Sequence, residues 1–182
     1  AGRTKVAVVG AGYIADFHLE VLKAMPEVDL VAVCDVSEPR AKSAAERFGA
    51  AHAVTDLKEL AGLGVEVAHL AVPPDLHVQL TRDLLESGVG VFAEKPIALA
   101  TEDARELAEL AAARGLPLGV NHNNVYHPAF ARMMDRVRAG EIGRVEHVQV
   151  TLSVPLRQLD AGDYSHWMFR APRNIVFEQA VH

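Results

Sequence analysis

The 182-residue sequence holds one cysteine, Cys34, which excludes a disulfide within the chain. Its neighbours Val31, Ala32 and Val33 are apolar, so Cys34 is expected to be a buried structural thiol. No run approaches the ~18 consecutive apolar residues of a membrane span, and no membrane partner is expected. The opening residues, Ala1 to Lys5, lead straight into Val6-Ala7-Val8-Val9 and lack the pattern of a secretory signal. The cytoplasm is therefore the expected compartment. A basic stripe is also missing. Lysines and arginines are scattered and the net charge is −6 with histidines neutral, which argues against a nucleic-acid partner. There is no repeat of fixed period and no low-complexity segment. His122 and His127 lack metal-ligand spacing around them, and no metal is expected.

What the sequence does contain is an alternation of two periodicities. Short runs rich in β-branched residues occur at Lys5–Val9, Leu30–Cys34, Val65–Ala71, Val89–Ala93 and Leu116–Val120. Helical spacing fills the gaps. Ile14–Met25 sets Ile14, Phe17, Val21, Leu22 and Met25 on one side. Arg40–Phe48 ends at Gly49, and Leu76–Ser87 gathers Leu76, Leu80, Leu84 and Leu85 before Gly88. Glu102–Arg114 follows Thr101 as expected N-cap, carries acids in its first turn and ends at Gly115. Strands alternating with three-turn helices predict an α/β fold with a doubly wound parallel sheet, covered by helices on both faces.

The pattern changes near residue 121. Asn121-His122-Asn123-Asn124 is a polar cluster, and Pro128 opens a helical stretch running to Ala139 and closed by Gly140. Arg144–Ser153 reads as an alternating strand, with Glu146, Val148, Val150 and Leu152 on one face against Val145, His147, Gln149 and Thr151 on the other, Val145 being the exception on the mostly polar face. The expected organisation is a domain over 1–120 and, over 121–182, the beginning of a second α/β domain with a mostly antiparallel open sheet.

Gly10-Ala11-Gly12-Tyr13-Ile14-Ala15 fits G-x-G-x-x-A between a strand and a helix, the context of a dinucleotide-binding Rossmann turn. Gly10 permits the tight turn, Gly12 admits the pyrophosphate to the backbone, and small Ala15 allows close helix–strand packing. The free amides at the helix start bind phosphate. Asp35 ends the second strand, where a carboxylate accepts hydrogen bonds from the adenosine ribose and repels a 2′-phosphate. Arg40 is a candidate for a 2′-phosphate but falls in the next helix, so NAD is favoured over NADP. Glu94-Lys95-Pro96 ends another strand, at the edge where doubly wound sheets gather their chemistry. A lysine there suits donor or acid/base work. Val72-Pro73-Pro74-Asp75-Leu76-His77 leaves a neighbouring strand as a wall beside the cofactor.

Taken together, these motifs resemble the Gfo/Idh/MocA family of oxidoreductases. The resemblance rests on the glycine turn followed by His18, the strand ending in Asp35, the Pro-Pro-x-x-His segment and Glu94-Lys95-Pro96. It extends to Gly140-Glu141-Ile142-Gly143-Arg144-Val145. It implies a cofactor-binding set of Gly10, Gly12, Tyr13, Ile14, Asp35, Val72, Pro73, His77, Glu94, Lys95 and Asn123. It also implies catalytic roles for Lys95 and for a histidine matched by His182, with Glu178 orienting the pair. The family's glycine-rich motif before that histidine reads here Pro172-Arg173-Asn174-Ile175-Val176-Phe177-Glu178-Gln179-Ala180-Val181-His182. Glu178 stands for an aspartate, and Ala180 for a glycine. Asn124 and Val125 stand where many members carry two arginines before an aromatic, here Tyr126. A helix is a family expectation for this last segment, which reads equally well as a strand.

The resemblance implies hydride transfer between a nicotinamide and a carbon of a sugar, inositol or related polyol, in a homo-oligomer. Histidine would take the hydroxyl proton and the lysine ammonium would steady the developing negative charge on oxygen. The family's substrate sheet is longer than residues 121–182 allow, which leads to the expectation of a fragment or truncated form, or else a short relative. Two alternatives are a glycosidase that oxidises its sugar transiently, with no net NADH, and a non-catalytic dinucleotide-binding regulator.

Overall fold

The computed structural model describes residues 2–151, 153 and 155–179. Its chain divides into two units, residues 1–120 and 121–182. In the first, the strands are β1 (Thr4–Val9), β2 (Val28–Cys34), β3 (His52–Val54), β4 (Val67–Leu70), β5 (Gly90–Ala93) and β6 (Leu118–Val120). Between them lie helices α1 (Tyr13–Ala24), α2 (Glu38–Phe48), α3 (Glu59–Gly62), α4 (His77–Glu86) and α5 (Thr101–Arg114). The strands form one six-stranded sheet in the order β3-β2-β1-β4-β5-β6. Every pairing is parallel, with a register shift between Val6 and Ala7 where β1 meets β2.

The apolar runs are continuous because both faces of the sheet are covered. Successive side chains of β1 point to opposite faces. Val6 and Val8 join Leu19, Leu22, Val33 and Ala44 in one core, under α1 and α2. Ala7 and Val9 join Leu70, Leu84, Leu85, Val91 and Ala111 in the other, under α4 and α5. Each fully buried Val or Leu contributes about 1.5–3 kcal/mol by leaving water, so the two layers supply most of the driving force.

The face of α1 differs from the expected one. Ala15, His18, Leu19 and Leu22 are buried, whereas Ile14, Phe17, Val21 and Met25 are exposed. The glycine turn fixes the helix phase, because Ala15 must lie against the sheet. Positions three, four and seven residues further on then turn inward with it. The sequence pattern weighted side-chain size and set this phase incorrectly. α5 likewise begins one residue early: Thr101 is its first residue and Ala100 its N-cap, with no side-chain cap hydrogen bond. β3 and α3 were not anticipated, being three and four residues long and too short to show a period.

The second unit begins with a 3₁₀ turn at Asn123–Tyr126 and continues with α6 (Pro128–Arg138), α7 (Arg157–Asp160) and α8 (Asn174–Gln179). His127 caps α6, its ring accepting from the Ala129 amide. The alternating segment does not form the expected strand, and the expected antiparallel sheet is not formed among the described residues. Residues 145–151 and 153 carry no ladder pairing, and Val145, Val148 and Val150 are exposed. Alternation prepares a segment for pairing, but a strand exists only once a neighbour takes its backbone groups. Leu152 lies outside the described residues. No helix among the described residues is long and apolar enough to cross a membrane.

Cys34 is buried on β2. Burial, reinforced by the charge of Asp35 and more distant acids, pushes its thiol up to about 11. A thiolate is needed for reaction. At pH 8 the folded chain should therefore leave Ellman's reagent unreacted for as long as the urea-unfolded chain takes to react completely. Equal labelling rates would place Cys34 at the surface.

Candidate active site

In open α/β sheets ligands bind beyond the carboxyl ends of the strands, where the winding reverses. Here that point lies between β1 and β4. Gly10 follows β1 with φ +96°, in the left-handed region, and a Cβ on it would meet the Ala71 carbonyl oxygen at 2.4 Å. Only glycine fits there. Gly12, the N-cap of α1, is the opposite case: it has extended backbone, and nothing lies within 4 Å of where its Cβ would stand. The space over Gly12 is open at a helix N-terminus, which fits the approach of a phosphate. Tyr13 and Ile14 open α1 and are exposed beside this turn.

Asp35 stands at the end of β2, 8 % exposed. Its Oδ2 accepts the Ala11 amide at 2.8 Å, and its Oδ1 accepts the Ser37 amide and the Arg40 guanidinium, each at 2.8 Å. Burial works to raise this carboxyl, but the Ser37 and Ala11 amides and Arg40 together hold it below the usual carboxylate value. Arg40 does lie in α2, as expected, yet it reaches back to the strand end. Its place in the helix does not remove it from the end of β2, a point the linear sequence concealed.

Val72 and Pro73 leave β4, and residues 74–76 form a 3₁₀ turn before α4. His77, expected among the cofactor contacts, is completely buried. Its Nδ1 lies 2.6 Å from the Pro96 carbonyl and its Nε2 2.8 Å from the Val72 carbonyl. It acts by joining two loops and does not line open space. Glu94, also buried, has Oε1 2.8 Å from His18 Nε2, while its Oε2 accepts the Lys95 amide at 3.3 Å. His18 Nδ1 in turn lies 2.9 Å from Nδ1 of His69, a β4 residue. His69 was not singled out in the sequence; its only signal was a polar residue inside an apolar strand. Lys95, half-buried, follows Glu94 and leads into Pro96.

The remaining sequence-predicted residues belong to the second unit. Asn123 opens the 3₁₀ turn before α6. Glu178 lies in α8, a helix as the family resemblance implied, where its Oε2 accepts the Trp167 indole N–H at 3.0 Å. The Asn174 side chain donates to the Trp167 carbonyl at 2.8 Å. Trp167 and Asn174 thus brace the segment that carries Glu178, and neither was identified from sequence. His182 and Ala180 lie outside the described residues.

A parallel sheet in this order, with a glycine turn at its switch point and an acid ending β2, defines a Rossmann-type dinucleotide-binding domain. Residues 4–122 match the Gfo/Idh/MocA family, described as "Oxidoreductase family, NAD-binding Rossmann fold", and the chain belongs to that family. It is similar to dTDP-3,4-didehydro-2,6-dideoxy-alpha-D-glucose 3-reductase of Streptomyces violaceoruber, at 33 % identity over 86 % of this chain and 46 % of that protein. Myo-inositol dehydrogenase Hyg17 of Streptomyces leeuwenhoekii is 33 % identical over 78 % of this chain and 43 % of its own length. Among solved structures, GenD2 from gentamicin A biosynthesis in complex with NAD matches with a TM-score of 0.73 and 37 % identity, over 78 % of this chain and 40 % of that one. The chain spans a little under half the length of these relatives.

Half-buried His69 makes the fold sensitive to acid. Burial, with the charge of His18, lowers His69 to about 4 from 6.5, although Glu94 pulls the other way. Above pH 6.5 His69 is neutral both folded and unfolded. Between pH 6.5 and about 4 only the unfolded chain gains this proton, so stability should fall by up to ~1.4 kcal/mol per pH unit. Asp35 adds its own loss only below the ordinary carboxylate range. Urea unfolding at pH 7, 6 and 5 measures the slope, and His69→Asn should flatten it. An identical slope in the variant would contradict a neutral His69.

Proposed function

We propose that this chain is the cofactor-binding part of an NAD-dependent oxidoreductase that moves a hydride between the nicotinamide and an alcohol or carbonyl carbon of a sugar, inositol or related polyol. The observation that carries this reading is the open space over Gly12, at the start of α1 and beside the Asp35 carboxylate. Names of similar proteins, among them an inositol dehydrogenase and a deoxysugar-nucleotide 3-reductase, support the substrate class.

The amides of Gly12 to Ile14 would hold the pyrophosphate, and Val72 and Pro73 would wall the nicotinamide side. Asp35 would accept the adenosine ribose hydroxyls. It already receives four N–H contacts, two of them from Arg40, and an ionised carboxylate has about four acceptor positions. Arg40 therefore has to yield when both ribose hydroxyls bind. The bound nicotinamide supplies the hydride acceptor. Lys95 would hold the reacting oxygen and steady its negative charge, His182 would take or return the hydroxyl proton, and Glu178 would orient that pair.

Two measurements test the cofactor reading. Gly12→Val should keep the melting temperature and lose NAD binding by calorimetry, since its side chain enters open space. Gly10→Ala should instead lower stability by more than ~1 kcal/mol, because it combines a positive φ with a clash. Unchanged NAD affinity in Gly12→Val would move the cofactor elsewhere. NAD should also bind better than NADP. Asp35→Ala should narrow that gap by roughly 1–3 kcal/mol by removing a charged acceptor and releasing Arg40 toward a 2′-phosphate. Equal affinities in the unaltered chain would refute the assignment to NAD. In a catalytically active protein carrying this sequence, Lys95→Ala and His182→Ala should each reduce turnover ~10²–10⁴-fold with NAD affinity nearly unchanged. Full turnover in either variant would remove that residue from the mechanism.

A further inference from the structure

We propose that His18 and His69 are positioning residues for Lys95, an imidazole pair, His18 buried and His69 half-buried, that sets Glu94 and, through Glu94, the turn on which Lys95 stands. The proposal rests on the reading that Lys95 serves the reaction.

The three side chains come from three elements. His18 lies on the inward face of α1, His69 on β4, and Glu94 just beyond β5. The contacts run in series: His69 Nδ1 to His18 Nδ1 at 2.9 Å, then His18 Nε2 to Glu94 Oε1 at 2.8 Å. The other oxygen of the same carboxylate receives the Lys95 amide at 3.3 Å. The Phe92 ring backs the series, with centroids 5.0 Å from His69 and 6.4 Å from His18. Glu94 is thus gripped at one oxygen by the helix that begins at the glycine turn, and holds the main chain of Lys95 with the other. Through α1, the phosphate end of the site and the lysine end share one support.

The chemistry of the contacts limits where protons sit. A carboxylate only accepts, so His18 Nε2 donates to Glu94. The contact between the two Nδ1 atoms needs one hydrogen. It comes from His18 if that ring is an imidazolium, or from His69 if His18 is neutral. In either arrangement one hydrogen ties the two rings through their Nδ1 atoms, and the His18 Nε2 proton holds Glu94. The titratable groups facing His18 are His69 from β4 and Glu94 from the end of β5, with Lys95 next in the chain. Asp16, on α1 itself, pairs with Arg47 instead.

Nitrogen-15 NMR of the 182-residue chain, with labelled histidine and lysine, tests this directly. At pH 7 one of the two Nδ1 atoms should carry a proton and the other none, and His18 Nε2 should be protonated. Protons on both Nδ1 atoms or on neither, or a bare His18 Nε2, would overturn the series of contacts. His69→Leu removes the partner of His18 and should shift the Lys95 amide resonance while amides of α2 and β3 stay in place. His69→Asn, whose side-chain amide occupies the Nδ1 position, should return that resonance close to its original place. A Lys95 amide unmoved in His69→Leu, or moved equally in both variants, would overturn the positioning role. If His69→Leu does not fold, the ring-proton measurement on the unaltered chain still decides. None of these readouts needs turnover. An amide that follows His69 in a protein where Lys95→Ala remains active would uphold the coupling and remove only the catalytic reading.

Discussion

The central place of β1 in an all-parallel sheet is the constraint from which the site follows. Parallel neighbours on both sides mean that β1, β2, β4 and β5 all end on the same edge. Their next residues, Gly10, Asp35, Ala71 and Glu94, gather there. β1 has one neighbour wound toward β3 and the other toward β6, so a crevice opens where it ends. Packing makes this edge tight at one point and open at the next. Gly10 lies so near the Ala71 carbonyl that no Cβ fits, whereas the backbone at Gly12 faces open space. Both glycines serve one motif for unrelated reasons. Gly10 satisfies the protein and Gly12 leaves room for a ligand.

Asp35 shows how one side chain supports both the fold and the site. Its carboxylate receives the Ala11 amide inside the glycine turn, so it ties the end of β2 to the loop after β1. The same charge faces the edge where an adenosine ribose would lie. Amides held at fixed distance and an arginine from α2 favour the ionised form strongly enough to outweigh burial. The negative charge at the end of β2 is therefore present across the physiological range.

Much of the first unit was legible in the sequence. Five of its six strands and four of its five helices follow from apolar runs, helical spacing and terminal glycines, because burial on two faces leaves a plain signature. The short β3 and α3 carried too few residues for a period to emerge. The phase of α1 was misread because most of its large apolar side chains, Ile14, Phe17, Val21 and Met25, lie on the exposed face. The deciding fact, that small Ala15 must touch the sheet, is a packing constraint. Residues 144–151 illustrate the opposite failure. Their alternation is real, but pairing depends on a neighbour that no local pattern encodes. Motif spacing located Gly10, Gly12, Asp35 and Lys95 near the strand ends because it fixes their backbone. The reach of Arg40 back to Asp35 and the contacts of His69 and Trp167 were not legible, because each depends on a partner distant in space or one turn away.

The histidine contacts explain why a polar cluster is retained beneath this edge when apolar packing would be simpler. Hydrophobic burial is strong but non-directional, and it would hold the loop after β5 in place without fixing which way its main chain points. Hydrogen bonds have a preferred distance and angle. His18 pulls Glu94 toward α1, Glu94 holds the Lys95 amide, and His77 spans the carbonyls of Val72 and Pro96. The turn is thereby held at the residue before Lys95 and at the residue after it, by imidazoles from two helices on opposite faces of the sheet. A lysine side chain has four rotatable carbons and cannot be aimed by its own stiffness. Fixing the backbone at both flanking residues removes the largest source of misplacement.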